Sequence, residues 1–150
     1  MLFRSFRWAA PRDRERIFEV VARAFHLLRG SARWRQTAKL VESSPGEFRV
    51  LEQAGEIVGV GFLAGHQLQV GCSEIRLGYL GQISILPELQ DRGLGSALVR
   101  DLLEQMDQRG YDVARLSGLV RFYQRFGWTP FPRRFIEFPL RKLQIGRAHV

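Results

Sequence analysis

The sequence is poor in sulfur and in lysine: Cys72 is its one cysteine, and Lys39 and Lys142 are its lysines. A single thiol excludes a disulfide framework and a cysteine metal cluster, and it suits a reducing cytoplasm. No metal site is expected. No apolar run approaches the roughly 20 residues that a membrane-spanning helix needs, so no membrane partner is expected. Met1 to Trp8 is short, charged and alternating. It reads as a strand and lacks the longer apolar core of a secretory signal. Acidic residues are also outnumbered, 15 against 23 basic ones, for a formal charge of +8. The arginines spread from Arg4 to Arg147 with no dense run. Such arginine bias is a mark of a GC-rich coding sequence, and no nucleic-acid partner is expected from it, although a basic surface favours an anionic ligand.

What is present is ordinary for a globular chain. Hydrophobic residues make up 45% and charged residues 25% of 150 positions, enough for one domain with a real core. Leu2, Phe3, Phe6 and Trp8 make a first short strand. Pro11 opens a helix in which Ile17, Val20, Val21, Ala24 and Leu28 recur at helical spacing until Gly30. A second helix covers Trp34 to Val41, closed by Ser43-Ser44-Pro45-Gly46. Phe48, Val50 and Leu51 form a strand that turns at Ala54-Gly55 into a longer one, Ile57 to Val70. Gly59, Gly61 and Gly65 leave that strand uneven and predict a bulge or bend. Ile75 to Leu86 is a further strand ending at Pro87.

The period then changes. Leu94, Ala97, Leu98, Leu102 and Met106 mark one helix face, which stops before Gly110. Val113 to Leu116 is a short strand, Leu119 to Phe126 a short helix, and Phe131 to Leu140 a strand again. This order predicts an α+β (mixed α/β) domain. The last six residues, Ile145 to Val150, follow no pattern and resemble translated sequencing adapter. The expected division is therefore a domain over 1–144, the N-terminal part of a longer protein, and a non-native tail over 145–150.

The chemistry is concentrated where the strand ending at Pro87 meets the next helix. Gln90-Asp91-Arg92-Gly93-Leu94-Gly95-Ser96 joins the two. A glycine-bearing turn at a helix start presents unpaired N–H groups and a positive dipole end to an anion. Gly93 and Gly95 let backbone approach a phosphate, and Arg92 adds a charge-assisted contact. A P-loop needs Gly-Lys-Ser/Thr, whereas Gly95 is followed by Ser96-Ala97. A dinucleotide fingerprint needs a small residue where Leu98 stands and an acid at the end of the next strand, whereas Asp112 precedes it.

In context, Gln82 to Leu98 resembles the signature segment of the GNAT superfamily of N-acetyltransferases, Gln/Arg-x-x-Gly-x-Gly/Ala after a strand ending in proline. Phe122-Tyr123-Gln124-Arg125-Phe126-Gly127-Trp128 resembles the second signature, at the expected distance downstream. The wording around both is most similar to the N-terminal acetyltransferase domain of the enhanced intracellular survival group. The resemblance implies the GNAT acyl-CoA N-acyltransferase fold, a central, mostly antiparallel twisted sheet flanked by helices, with acetyl-CoA as co-substrate.

Carried onto matching positions, the resemblance gives the backbone of Ile83, Ser84 and Ile85 to the pantetheine arm. It gives Gln90, Asp91, Arg92, Gly93, Leu94, Gly95 and Ser96 to the pyrophosphate. Tyr123 matches a tyrosine that protonates the leaving thiolate in many relatives, with Phe122, Phe126 and Trp128 as core. The implied reaction is direct attack of a primary amine on the thioester, the amine belonging to a small molecule, peptide or protein lysine. The alternative is a regulatory or structural module that binds acetyl-CoA without catalysis. Glu74, Glu88 and His66 are candidate bases. Phe25, His26, Trp34 and Trp8 suggest an aromatic-lined acceptor groove. The asparagine that many relatives carry before the tyrosine helix is replaced by Leu116-Ser117-Gly118, and an oligomer is compatible with the sequence.

Overall fold

A computed structural model describes residues 3–131. The chain divides into two compact units, Met1–Gly118 and Leu119–Val150. The first contains a five-stranded sheet in sequence order: β1 (Arg4–Trp8), β2 (Phe48–Gln53), β3 (Glu56–Val70), β4 (Ser73–Ile85) and β5 (Val113–Leu116). β1 to β4 pair antiparallel and β5 pairs parallel with β4. Helices α1 (Arg14–Ala24) and α2 (Ala32–Ser43) follow β1, and α3 (Leu94–Gln108) connects β4 to β5. The second unit contributes α4 (Val120–Gln124). This is the expected mixed, mostly antiparallel sheet flanked by helices. The strand expected over Phe131 to Leu140 lies, past Phe131 itself, outside the described residues, as does the tail over 145–150.

Residues Ile57 to Ala64 of β3 are buried at every position, so both sheet faces are covered there. α3 covers one face through Leu102 and Met106, and α1 contacts β3 and β4 from the other. Glycine sets how closely α3 approaches. A Cβ on Gly61 would stand 2.6 Å from Leu102 Cδ1, and one on Gly78 would meet Met106 Cε. Arg49 on β2 then grips α3 with a two-pronged bond to Asp101, 2.7 and 2.9 Å long. Both partners are about nine-tenths buried, with side-chain exposures of 11% and 12%.

A second ion pair fixes the entry to α1. Arg7 donates two bonds to Asp13, at 2.6 and 3.1 Å, and one to Glu52 at 2.8 Å. The Ala10 N–H donates to the same Asp13 carboxylate. Its hydrogen bonds from Arg7 hold the Asp13 carboxyl below its ordinary range, against the opposing effect of burial.

Three boundaries differ from the sequence reading. α1 stops at Ala24, because His26 adopts φ 49° and breaks the helical path. Leu28 is therefore exposed instead of continuing the apolar stripe. α2 starts earlier, at Ala32, because Ser31 caps it by accepting from the Trp34 N–H at 3.1 Å. The last helix is shorter than expected, covering Val120–Gln124.

Two stability outcomes follow. Gly61→Val should lower unfolding free energy by about 1–3 kcal/mol in urea titrations, since α3 cannot move away without losing its packing. Asp13 binds its proton less readily folded than unfolded. Its contribution is therefore complete above the ordinary carboxylate pKa of roughly 3.9 and is lost as pH falls through the depressed native value. The stability gap between the native chain and Asp13→Asn should be largest near neutrality and close in acid.

Candidate functional site

β5 accompanies β4 only from Leu77 to Leu80. Beyond that point, β4 residues Gly81 to Ile85 pair with β3 on one side, and no described strand pairs their other edge. A bulge marks the change. Between the pairs Phe62↔Gly81 and Val60↔Ser84, Gln82 and Ile83 together face Gly61. Gln82 takes φ 50°, an uncommon conformation for a side-chain-bearing residue. The Ser84 hydroxyl, buried with its residue, donates to the Gln82 carbonyl at 2.9 Å and fixes the kink. The irregularity expected in β3 is present where that strand pairs with β2, Val58 being the extra residue between the pairs Leu51↔Gly59 and Glu52↔Ile57, and the bulge at Gln82 and Ile83 is a second one on β4.

The side chains of Ile83 and Ile85 turn inward. Ile83 Cγ1 stands 3.7 Å from a Cβ position on Gly61, and Ile85 Cδ1 stands 2.6 Å from one on Gly59. What these residues offer outward is backbone. Past Leu86, a 3-10 turn (Pro87–Leu89) leads to the glycine turn. Gln90 donates its amide to the Ile85 carbonyl at 3.0 Å, tying the turn to the end of β4. Asp91 at φ 58° and Gly93 at φ 75° reverse the chain, and α3 starts at Leu94. Leu94 and Leu98 are buried and anchor that helix end. No side chain caps it. The N–H groups of Leu94, Gly95 and Ser96 therefore have no intrahelical acceptor and face the dipole's positive end. Arg92 and Asp91 are exposed beside them.

The candidate bases separate. Glu88 sits in the 3-10 turn, bonded to Arg23 of α1 at 3.0 and 3.1 Å. A hydrogen bond from its own backbone N–H, followed by the charge of Arg23, holds its carboxyl below the ordinary value and makes it a poor proton acceptor. Glu74 lies near the exposed β3–β4 hairpin tip, opposite Gln69. Seven residues separate it from Gly81, about 23 Å of strand. His66 is exposed, with its ring 6.5 Å from that of Tyr79.

Of the residues expected to line one groove, Trp8 has the neighbours most unlike the rest. Trp8 donates to Gln105 of α3 at 3.2 Å and lies under the Arg109 guanidinium at 3.8 Å. Trp34 instead meets Phe18 of α1 edge-on at 4.7 Å, and Phe25 lies under Arg33.

In the second unit, Tyr123 packs edge-on against Phe122 at 4.9 Å and near Trp128 at 6.4 Å. Burial pushes its phenol pKa up. Phe122, Phe126 and Trp128 are half-buried rather than core. A five-residue helix shields little, and Arg125 covers the Phe122 and Phe126 rings at 4.7 and 5.7 Å.

Comparison with known proteins agrees with this geometry. A family model described as an acetyltransferase (GNAT) domain matches residues 5–131. No curated protein matches the chain. Among solved structures, a GCN5-related N-acetyltransferase from Kribbella flavida superposes with a TM-score of 0.67 at 23% identity, over 83% of this chain and 32% of its own. The chain thus spans about a third of that relative's length. A GNAT family acetyltransferase from Brucella melitensis in complex with acetyl-CoA gives 0.71 at 26% identity, over 85% and 84%. Eis1 from Mycobacterium abscessus gives 0.67 at 28% identity, over 83% and 30%. Among the described residues, no helix is long and apolar enough to cross a membrane.

The turn itself can be tested by folding alone. Gly93→Ala should cost about 1–2 kcal/mol in chemical denaturation, because φ 75° is strained for any L side chain.

Proposed function

Because the chain belongs to the GNAT acetyltransferase family, we propose that it is an acetyl-CoA-dependent N-acetyltransferase that moves an acetyl group to a primary amine by direct attack. One observation carries this reading: the free edge of β4 leads, through the short turn Pro87–Leu89, into the glycine turn that opens α3. A pantetheine arm pairs with an exposed strand edge as an added strand would, through backbone at Ile83 and Ile85 with Ser84 between them. The pyrophosphate then rests on the turn from Gln90 to Ser96, against the N–H groups of Leu94, Gly95 and Ser96. The Gln90 side chain serves this site indirectly, by holding the turn to β4.

In the reaction the amine lone pair forms a C–N bond to the thioester carbonyl carbon, and the C–S bond breaks onto sulfur. Tyr123 supplies the proton that the leaving thiolate takes, the proton shed by the amine nitrogen passes to water, and water returns one to the phenol. Its place in the second signature supports this role, as does burial that keeps the phenol protonated beyond the ordinary value of about 10. Holding both reactants together supplies orientation. The acceptor is an amine on a small molecule, a peptide or a protein lysine. Residues 1–144 form the acetyltransferase domain and 145–150 a non-native tail. Similarity to Eis1 supports a place beside the enhanced intracellular survival group, and the lone exposed thiol suits action in the cytoplasm.

Calorimetry with acetyl-CoA should show one binding event per chain, and a folded sample that binds none contradicts the proposal. Tyr123→Phe should leave acetyl-CoA affinity nearly intact and lower turnover about 10²–10⁴-fold. Unchanged turnover would remove Tyr123 from the mechanism. In the unmutated enzyme, ionisation of Tyr123 should lower activity only above about pH 10.

A further inference from the structure

Where the free β4 edge ends, the Tyr79 ring folds along the strand onto Gly81. A Cβ on Gly81 would stand 3.2 Å from Tyr79 Cε1 and 3.4 Å from its hydroxyl oxygen. The missing side chain at 81 is what gives the phenol its seat. Tyr79 pairs with Ala64, Gly81 with Phe62, and Leu77 with His66. Tyr79, Gly81, Phe62 and His66 therefore share one sheet face, the face away from α3. The phenol is held there by neighbours on several sides. Phe62 meets its ring at 6.5 Å and His66 at 6.5 Å, both edge-on, and the Arg115 guanidinium lies 6.0 Å from the ring centre. It is half-buried, and its polar tip lies against the residue that precedes the bulge.

Resting on the reading above, the acyl arm leaves the glycine turn and follows β4 from Ile85 toward Gly81. That is four residues, or about 13 Å of strand. The thioester then comes to the bulge, where the free edge ends and β5 begins to pair. We infer that Tyr79 is a further catalytic residue, its hydroxyl donating a hydrogen bond to the acetyl carbonyl oxygen. The bond polarises the carbonyl before attack and strengthens as the oxygen becomes an oxyanion. As the amine nitrogen forms the C–N bond, the carbonyl electrons move onto the oxygen that Tyr79 holds. They return when the C–S bond breaks, and the amine proton passes to water. Tyr79 keeps its own proton throughout.

The test needs no acceptor. Infrared difference spectra of bound acetyl-CoA, with and without ¹³C at the acetyl carbonyl, report the carbonyl stretch directly. In the unmutated chain the band should lie below its position in Tyr79→Phe, which keeps the ring and loses the donor, with both proteins saturated by acetyl-CoA. An identical band in the two proteins overturns the inference and leaves cofactor binding standing. Failure of the unmutated chain to bind acetyl-CoA overturns the reading beneath it and this inference with it. Incorporating 3-fluorotyrosine gives a second measurement without a core substitution, since the chain has three tyrosines. The Tyr79 ¹⁹F resonance should differ between the acetyl-CoA and CoA complexes, whereas Tyr111, which packs on Gly65 and Gly78, should not respond. Equal Tyr79 resonances in the two complexes also overturn it.

Discussion

β5 lies parallel to β4 over four residues, Val113–Leu116 against Leu77–Leu80, and then parts from it. Everything proposed for the chain depends on that short pairing. A longer β5 would consume the backbone edge from Gly81 to Ile85 in sheet hydrogen bonds. A shorter one would leave the centre of the sheet without its lateral support. The bulge at Gln82 and Ile83 stands where β4 passes from being paired on both sides to being paired on one. Its cost, a non-glycine residue at positive φ, is held by the buried Ser84 hydroxyl and by packing around Gly61.

The same strand positions α3. With β3, it lets Leu102 and Met106 approach the sheet at Gly61 and Gly78, and Arg49 of β2 locks Asp101. The first turn of α3 therefore stands at the end of β4 with its N–H groups unspent. Across the sheet, Arg23 and Glu88 join the end of α1 to the turn before it. Both are about half exposed, so this pair orients more than it stabilises. The two buried or half-buried arginine bridges, Arg49–Asp101 and Arg7–Asp13, are better shielded and define how β1, β2 and the helices register.

Much of this was legible in residue order. The change from period two to period 3.6 after Pro87 located β4 and α3. Ala54-Gly55 located the hairpin, whose two residues both take positive φ. The glycine turn and Tyr123 came from motif spacing. Other features depend on geometry that spacing does not encode. Leu28 continued the apolar pattern of α1, yet the backbone reversed at His26. Trp8 and Trp34 looked alike in sequence but belong to different helices' surroundings. Gln90 and Ser84 are polar residues within the signature, and their side chains are engaged in holding backbone rather than left free for a ligand. Tyr79 was missed because it lies outside both signatures. Its signal was the spacing Tyr79-x-Gly81, an aromatic and a glycine on the same strand face, where the ring can lie down over the gap.

The central claim is that the free edge of β4 and the first turn of α3 form one cofactor site. Amide hydrogen exchange with and without acetyl-CoA tests it most directly. Slowed exchange is expected in two stretches, Gly81 to Ile85 and Gly93 to Ser96, together in one saturable transition. Protection that appears elsewhere and spares both stretches would contradict it.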